Sequence, residues 1–266
     1  MTRVVIAGAA GRMGHALLRC ADAVEGIVVT GAIERPDHPA IGSDAGIVAG
    51  RGELGVRVTA ELGPALDNAD VLIDFTFHSA VPVNVAAAAE RGKGAVVGTT
   101  ALEPAERAVL DRAATKIPIL FAPNMSLGVN LLFALVKEAS RALGLDYDVE
   151  IVETHHRHKQ DAPSGTALRL AEKAAEGRNQ DLKSVLNGGR QGVVGARPRG
   201  QIAIHAVRAG DIVGDHSVIF ANDGERVEIA HRATSRDGFA MGALRAALWI
   251  HGREAGLYDM QNMLGL

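Results

Sequence analysis

Residues 3–14 read Arg3-Val4-Val5-Ile6-Ala7-Gly8-Ala9-Ala10-Gly11-Arg12-Met13-Gly14, an apolar run that passes directly into closely spaced glycines. The β-branched run from Arg3 to Gly8 is typical of a strand buried on both faces of a parallel sheet. The apolar spacing beyond the glycines predicts a helix from Met13 to Ala21, and Ile27 to Ile33 has the composition of a second buried strand. The stretch therefore predicts the opening strand, turn, helix and strand of an α/β fold.

The glycines follow the spacing G-x-x-G-x-x-G, and each has its own expected role in a dinucleotide-binding turn. Gly8 permits the tight turn, Gly11 lets the backbone approach a pyrophosphate, and Gly14 lets the helix pack closely on the strand. The N–H groups at the start of the helix would hold the phosphates. The simpler alternative is a turn that is rich in glycine and has no ligand.

Two charged residues follow the second strand and bear on the choice of cofactor. Glu34 lies about 20 residues beyond the last glycine, where a carboxylate is expected to bind ribose hydroxyls. Arg35 beside it is a candidate for binding a 2′-phosphate. The pattern therefore predicts NADH, NADPH or both as cofactor, without a preference between them.

Strands and helices continue to alternate up to about residue 125. Asp70 to Phe75, Gly94 to Gly98 and Ile117 to Ala122 are predicted strands, with helices at Ala80 to Arg91 and Pro104 to Thr115. Such alternation predicts a doubly wound parallel sheet, in which ligands bind beyond the carboxyl ends of the strands. The residues at those ends are therefore candidates to line the nicotinamide side of the cofactor: Phe75, Thr76, Gly98, Thr99, Thr100, Ala122, Pro123 and Asn124.

The pattern changes at about residue 126. A long amphipathic helix, Ser126 to Leu143, precedes a strand with alternating polar and apolar residues, Asp146 to Thr154. Three more strands follow, at 201–208, 215–221 and 226–232, and Asn222-Asp223-Gly224 is a hairpin signal between the last two. The final helix, Phe239 to Glu254, resembles those of the first half. We predict an α/β protein: a Rossmann-type doubly wound parallel sheet over 1–125, completed by 236–266, and a second α+β domain, 126–235, on a mixed, largely antiparallel sheet.

The segment Glu153 to Thr166 concentrates unusual chemistry, because it holds three of the ten histidines within four residues, together with Arg157 and Lys159. Ser164 is well placed to cap a helix from Gly165 to Ala175. The first N–H groups of that helix are orphan donors at the positive end of its dipole, which makes a carboxylate site. The segment therefore predicts a pocket for an anion, in which protons are also transferred.

Three interpretations compete for His155, His156 and His158. A solvated basic loop is the simplest. A metal site is disfavoured, since Arg157 and Lys159 would repel a dication and no H-E-x-x-H spacing is present. An acid/base and anion site fits best, because a C=N group that accepts a hydride needs its developing negative charge neutralised. No argument from the residues gives His158 a role.

Composition excludes several classes of function. The chain has 266 residues and a net charge of −3, so its overall charge does not attract it to nucleic acid or to an anionic membrane. It has one cysteine, Cys20, and no run of about 18 apolar residues. The first strand begins directly after Met1-Thr2, which leaves no room for a signal peptide. We expect a cytoplasmic protein that binds neither nucleic acid nor membrane.

Several motifs together resemble the 4-hydroxy-tetrahydrodipicolinate reductase (dihydrodipicolinate reductase) family. The Glu153 to Thr166 segment carries the most specific match. The others, in the family's order and over almost the whole chain, are Gly8 to Gly14, Gly42 to Gly46, Gly98 to Thr100, Asn124 to Asn130, Arg208 to Gly214, Ser235-Arg236 with Phe239-Ala240, and Leu257 to Met260.

The resemblance implies an NADH- or NADPH-dependent reductase of lysine and diaminopimelate biosynthesis that acts on a small cyclic dicarboxylate, loses water, and forms a homotetramer through its second domain. It implies that His155 is the proton donor or acceptor, that Lys159 is a second proton donor, and that His156, Gly165 and Thr166 bind a substrate carboxylate. The implied cofactor-binding residues are Gly8, Ala9, Ala10, Gly11, Arg12, Met13, Glu34, Arg35, Gly98, Thr99, Thr100, Ala122, Pro123, Asn124 and Met125.

Two residues depart from the family's pattern. Ala10 stands where members often have glycine, which is tolerated if the turn needs no positive φ there. Phe77 stands where some members carry a basic residue, which leaves Arg35 as the clearest candidate for a 2′-phosphate. Two alternative functions stay open at this point: a reductase of another small carboxylated imine or carbonyl, and a non-catalytic protein that senses the nucleotide.

Overall fold

The computed structural model describes all residues from Met1 to Leu266, and the chain forms two compact units. Unit 1 comprises Met1–Leu127 and Arg236–Gly265, and unit 2 comprises Gly128–Ser235. The chain therefore leaves unit 1, forms unit 2, and returns to complete unit 1.

The elements follow one another in this order. The first part of the chain contains β1 (Thr2–Ala7), α1 (Arg12–Cys20), β2 (Ile27–Ile33), α2 (Ala45–Val48), β3 (Val58–Thr59), α3 (Leu62–Asp67), β4 (Val71–Asp74), α4 (Val81–Glu90), β5 (Gly94–Val97), α5 (Pro104–Ala113) and β6 (Pro118–Phe121). The middle part contains α6 (Leu127–Leu143), β7 (Asp148–His155), α7 (Gly165–Gly177), α8 (Leu182–Val185), β8 (Leu186–Asn187), β9 (Ile202–Arg208), β10 (Gly214–Asn222) and β11 (Glu225–Ala233). The last part contains α9 (Asp237–Ile250), β12 (Gly256–Tyr258) and α10 (Met260–Leu264).

Unit 1 is built on a seven-stranded parallel sheet in the order β12-β6-β5-β4-β1-β2-β3. The order 3-2-1-4-5-6 within it is that of a dinucleotide-binding fold. Alternate residues of β1 enter separate cores on opposite faces: Val4 and Ile6 pack with α1 and α9, whereas Val5 and Ala7 pack with α4 and α5. The doubly wound sheet predicted from the sequence is confirmed.

Unit 2 is built on a mixed five-stranded sheet in the order β11-β10-β7-β9-β8. The β11/β10 and β10/β7 pairs are antiparallel, and the β7/β9 and β9/β8 pairs are parallel. Val149, Ile151 and Phe220 of this sheet pack with apolar residues of α6 and α7 in a single core. The predicted hairpin is present, with Asp223 and Gly224 as its turn and Gly224 at a φ of +94°. Mixed pairing is confirmed, with half of the strand pairs antiparallel.

The C-terminal region differs from the sequence prediction. The final helix ends at Ile250 rather than Glu254, and His251 is already extended. Gly256–Tyr258 then joins the sheet as β12, parallel to β6, which the sequence analysis missed. A strand of three residues carries too little hydrophobic periodicity to be detected by pattern.

Candidate active site

The glycine turn after β1 has the close backbone packing that its sequence predicts. Gly8 has a φ of +79°, a conformation that other residues rarely adopt. A Cβ on Gly14, the third residue of α1, would lie 2.2 Å from the carbonyl oxygen of Gly8 and 2.4 Å from that of Ala9. Ala10 has no positive φ, so its methyl group causes no backbone strain. A larger residue at position 8 or 14 would therefore strain the turn.

The turn leaves a backbone cradle suited to an anion. Gly11 is the N-cap of α1 and has no side chain to accept from the N–H groups of the first turn. The Glu34 carboxylate accepts hydrogen bonds from the N–H groups of Ala10 and Arg35, each at 3.1 Å. Glu34 is therefore held against the turn, whereas the Arg35 guanidinium is mostly exposed beside Asp37. These residues fit a dinucleotide, because the donors and the ribose-binding carboxylate lie together.

A cavity of about 530 Å³ lies beyond the carboxyl ends of the unit 1 strands. It brings together eight of the predicted cofactor residues: Arg12, Met13, Gly98, Thr99, Thr100, Pro123, Asn124 and Met125. Ala122 is buried and does not line the cavity. Gly8 to Gly11, and Glu34 and Arg35 after β2, also lie outside its wall. The wall also includes Phe75 to His78, Ala101, Arg236 and Phe239.

A buried carboxylate, which was not predicted from the sequence, holds Thr76 in the wall of this cavity. Asp74, the last residue of β4, is fully buried and accepts from the Thr76 N–H at 2.8 Å, the Thr76 hydroxyl at 2.6 Å and the Asn84 amide at 2.9 Å. Burial raises the pKa of Asp74, against the lowering effect of these hydrogen bonds. The Thr99 hydroxyl donates to the Thr76 carbonyl at 2.9 Å, so two loops at the strand ends are tied together. The sequence feature that could have identified this group is an aspartate two residues before a threonine at the end of a predicted strand.

In unit 2, the second candidate site is built around the carboxyl end of strand β7. Glu153 and His155 are two residues apart and point to the same face of the strand. The Glu153 carboxylate is fully buried, and its Oε2 lies 2.5 Å from Nδ1 of His155. Arg208, on the neighbouring strand β9, donates to both Glu153 oxygens at 2.9 Å, and the Ser164 N–H donates at 3.0 Å. Burial raises the pKa of Glu153, but Arg208, His155 and Ser164 outweigh it, so that the pKa lies below its usual value.

Ser164 connects this group to α7 and to His216. Its hydroxyl accepts from the Ala167 N–H at 3.2 Å, which confirms the predicted N-cap, and lies 3.1 Å from Nε2 of His216. The His216 ring, on β10, lies edge-on to that of His155, with 5.2 Å between centroids. Burial, and then the charge of His155, lower the pKa of His216 to about 4, so His216 is neutral at physiological pH.

Lys159 lies in the turn that leaves β7. Its Nζ donates to the Asp161 carboxylate at 2.8 Å, and its N–H donates to the His156 carbonyl at 3.1 Å. Arg208 also donates to the Asp161 carbonyl at 2.7 Å. The turn that carries Lys159 and the buried Glu153 carboxylate are therefore attached to the same guanidinium.

The remaining predicted residues occupy the exit of β7 and the start of α7. Strand β7 ends at His155, so His156 falls outside the strand's alternation, and the ring centroids of His156 and His158 are 6.3 Å apart. Had the strand continued, His155 and His156 would point to opposite faces. Gly165 and Thr166 are the first two residues of α7.

No helix of the chain has the length and apolarity needed to cross a bilayer. No group of three or more His, Cys, Asp or Glu side chains is arranged to hold a metal ion.

Comparisons with known proteins give a consistent result over the whole chain. The family model described as dihydrodipicolinate reductase, N-terminus, matches residues 2–125, and that described as dihydrodipicolinate reductase, C-terminus, matches residues 128–264. The 4-hydroxy-tetrahydrodipicolinate reductases of Anaeromyxobacter dehalogenans (strain 2CP-1) and Anaeromyxobacter sp. (strain Fw109-5) are each 52% identical over 266 residues, with 100% of this chain and 98% of each relative covered.

A solved structure has the same fold. Dipicolinate-bound dihydrodipicolinate reductase from Paenisporosarcina sp. TG-14 has a TM-score of 0.77 and 23% identity, with 99% of both chains covered. An amine dehydrogenase from Mycobacterium smegmatis is more distant, with a TM-score of 0.60 and 13% identity over 97% of this chain and 95% of that one.

Proposed function

The chain belongs to the dihydrodipicolinate reductase family, and we propose that His155 and Lys159 carry out the proton transfers of the reaction that defines this family. The protein is an NAD(P)H-dependent oxidoreductase that converts 4-hydroxy-tetrahydrodipicolinate to tetrahydrodipicolinate in lysine biosynthesis. One hydride and one proton are added to the substrate and one water is lost. The residues that perform these steps are the subject of the proposal.

The proposed cofactor site is the glycine turn with the adjoining cavity in unit 1. The backbone of residues 8–13 would hold the pyrophosphate, and Glu34 and Arg35 the adenosine ribose and any 2′-phosphate on it. Gly98 to Thr100 and Ala122 to Met125 would line the nicotinamide side. When bound, the reduced cofactor supplies the hydride. The close packing of Gly14 on the Gly8 and Ala9 carbonyls supports this assignment, because it holds the start of α1 against the turn.

The proposed substrate site is the exit of β7 in unit 2. The N–H groups of Gly165 and Thr166, with His156, would bind a carboxylate at the positive end of the α7 dipole. Hydride addition to a conjugated C=N group places negative charge on the substrate, which His155 and Lys159 would neutralise by giving a proton. The observation that carries the assignment is the placement of His155, Lys159 and the start of α7 within one tightly hydrogen-bonded segment.

We also propose a homotetramer formed through unit 2 and a cytoplasmic location. Support for an assembly through unit 2 comes from β11, an edge strand whose residues Glu225 to Glu228 are all exposed. The reaction consumes a pyridine nucleotide and a biosynthetic intermediate, which supports a location among other metabolic enzymes.

The roles of His155 and Lys159 are tested by steady-state kinetics with each residue replaced by alanine. We expect kcat to fall about 10²- to 10⁴-fold in each variant, the range that a positioned acid or base contributes. Nucleotide affinity, measured by calorimetry, should be nearly unchanged. Lys137→Ala is the matched control, since Lys137 is a half-exposed lysine of unit 2 paired only with Glu176. Wild-type turnover in His155→Ala or Lys159→Ala would refute the role of that residue.

A further inference from the structure

We infer that Glu153 and Arg208 are a positioning pair that orients both proposed proton-transfer groups, His155 and Lys159. The inference rests on the function proposed above. Neither residue of the pair is expected to touch the substrate: Glu153 has no exposed surface, and Arg208 reaches the site through Glu153 and Asp161.

Glu153 is held as an ionised carboxylate. Its two oxygens accept two hydrogen bonds from Arg208 and one from the Ser164 N–H, and Oε2 also contacts His155. A buried carboxylate is stable in its charged form only when its oxygens are paired in this way. The two-pronged contact with Arg208 also fixes the orientation of the carboxylate plane, which lysine could not do.

An ionised Glu153 determines which nitrogen of His155 exchanges protons. A carboxylate only accepts hydrogen bonds, so the contact of 2.5 Å requires a hydrogen on Nδ1 of His155. Nε2 is then the nitrogen that gains or loses a proton in the reaction. Gly214 lies against this edge of the ring, where a Cβ would stand 3.0 Å from Nε2, so no side chain from that position covers it.

Arg208 extends the same control to Lys159. Its Nη2 donates to a Glu153 oxygen and to the Asp161 carbonyl, and the Asp161 carboxylate accepts from Lys159 Nζ. The pairing of β7 with β9 sets this arrangement, because Arg208 is the register partner of His155. One guanidinium therefore fixes the histidine's partner and the turn that carries the lysine.

The pair also sets the charge around His155. The other titratable groups on neighbouring elements are Lys159 and Asp161 in the exit turn, His216 on β10, and His231, the register partner of His216 on β11. Glu153 and Arg208 carry opposite charges that offset each other. Because Glu153 stays ionised only while Arg208 pairs its oxygens, losing either residue removes the negative charge that faces Nδ1 of His155.

Substitution of either residue of the pair should therefore have the same effect on His155. We expect Glu153→Gln and Arg208→Met each to lower kcat on the order of 10- to 100-fold, part of the contribution of a positioned acid or base. The KM for the nucleotide should stay within about twofold. In both variants neutral His155 should lose its preference for a hydrogen on Nδ1, which its ¹⁵N spectrum reports. Arg208→Lys, which keeps the charge but not the two-pronged contact, should retain the hydrogen on Nδ1 with reduced kcat.

Glu150→Gln is the matched control. Glu150 lies on the same strand and also accepts hydrogen bonds from arginines, Arg190 and Arg197, and contacts a histidine, His205. It makes no contact with His155, so this variant should keep both kcat and the hydrogen on Nδ1 of His155.

The outcomes separate the inference from the proposed function. Wild-type turnover in His155→Ala refutes the proposed role of His155 itself. Loss of turnover in His155→Ala, with Glu153→Gln no different from Glu150→Gln, overturns only the positioning pair. A hydrogen that stays on Nδ1 of His155 in both Glu153→Gln and Arg208→Met also overturns it. If the variants fail to fold, the ¹⁵N spectrum of the histidines in the unsubstituted protein decides: a hydrogen on Nδ1 of neutral His155 supports the pair, and one on Nε2 overturns it.

Discussion

Replacing Gly14 with alanine is a direct test of the glycine turn, because the same substitution has opposite predicted effects at two helical glycines of unit 1. At Gly14 the new Cβ would lie 2.2 Å from the carbonyl oxygen of Gly8. Ordinary van der Waals contact begins at 3.4 Å, so the two atoms would be 1.2 Å too close. Both contacted oxygens belong to the backbone, so no side-chain rotation relieves the overlap. Helix α1 would have to move away from the turn, although its Leu17 and Leu18 are fully buried in the core.

The expected cost follows from two opposing effects. Overpacking a core by a methyl group costs about 1–3 kcal/mol, and a clash with fixed backbone belongs at the upper end of that range. Alanine in a helix recovers about 0.5–1 kcal/mol relative to glycine. We therefore expect the free energy of unfolding to fall by about 2 kcal/mol, which lowers Tm by roughly 4–8 °C for a unit of this size. NADH affinity should fall at least about tenfold, since the displaced N–H groups are those that hold the pyrophosphate.

Gly238→Ala is the control for this substitution. Gly238 is also in the first turn of a helix, α9, but no atom lies within 4 Å of its Cβ position. It should be neutral or raise the free energy of unfolding by about 0.5–1 kcal/mol. Thermal unfolding followed by circular dichroism, and NADH titration by calorimetry, measure both variants. Equal Tm and equal NADH affinity in Gly14→Ala and Gly238→Ala would refute the reasoning.

Two further predictions concern the surroundings of His155. Gly214→Ala should lower kcat on the order of tenfold with nucleotide affinity unchanged, because its Cβ would press on the ring at 3.0 Å from Nε2 and 3.3 Å from Cδ2; steady-state kinetics with wild-type kcat would contradict this. His216 has its pKa lowered from 6.5 to about 4, so between these values the unfolded chain binds a proton that the folded chain does not. The free energy of unfolding should therefore fall by up to about 3 kcal/mol as pH decreases from 6.5 to 4, and keep its full value above 6.5. The free energy of unfolding, measured with urea at pH 5 and at pH 7.5, should differ less between the two pH values for His216→Gln than for the wild type. An equal difference in the two proteins would exclude His216 as the cause of the pH dependence.

Much of unit 1 could be predicted from the sequence because its signals are local. The glycines at positions 8, 11 and 14, the apolar strand before them and Glu34 after them lie within about 30 residues, the span of one strand–helix–strand unit. The cap at Ser164 was predictable for the same reason, since an N-cap depends on its own helix.

The contacts around His155 could not be predicted in this way. Arg208 meets Glu153 because β9 pairs with β7, and His216 reaches Ser164 because β10 pairs with β7 on its other edge. These registers depend on the packing of a whole sheet, which a single sequence does not specify locally. Asp74 was missed for a different reason: a charged residue at a strand end is usually solvated, and only the structure shows that this one is buried.

The late return of the chain to unit 1 has a consequence for synthesis on the ribosome. The β6/β12 pair joins Pro118 to Gly256, so the parallel sheet cannot be completed until the chain has been made as far as Tyr258. Unit 2 is one continuous stretch of chain, and its strands pair only among themselves. Domains generally fold as units while synthesis proceeds, and pairings between distant residues form slowly. Unit 2 begins later along the chain than unit 1, but it can finish folding first. Until β12 has been synthesised, β6 remains an unpaired edge strand of the sheet of unit 1.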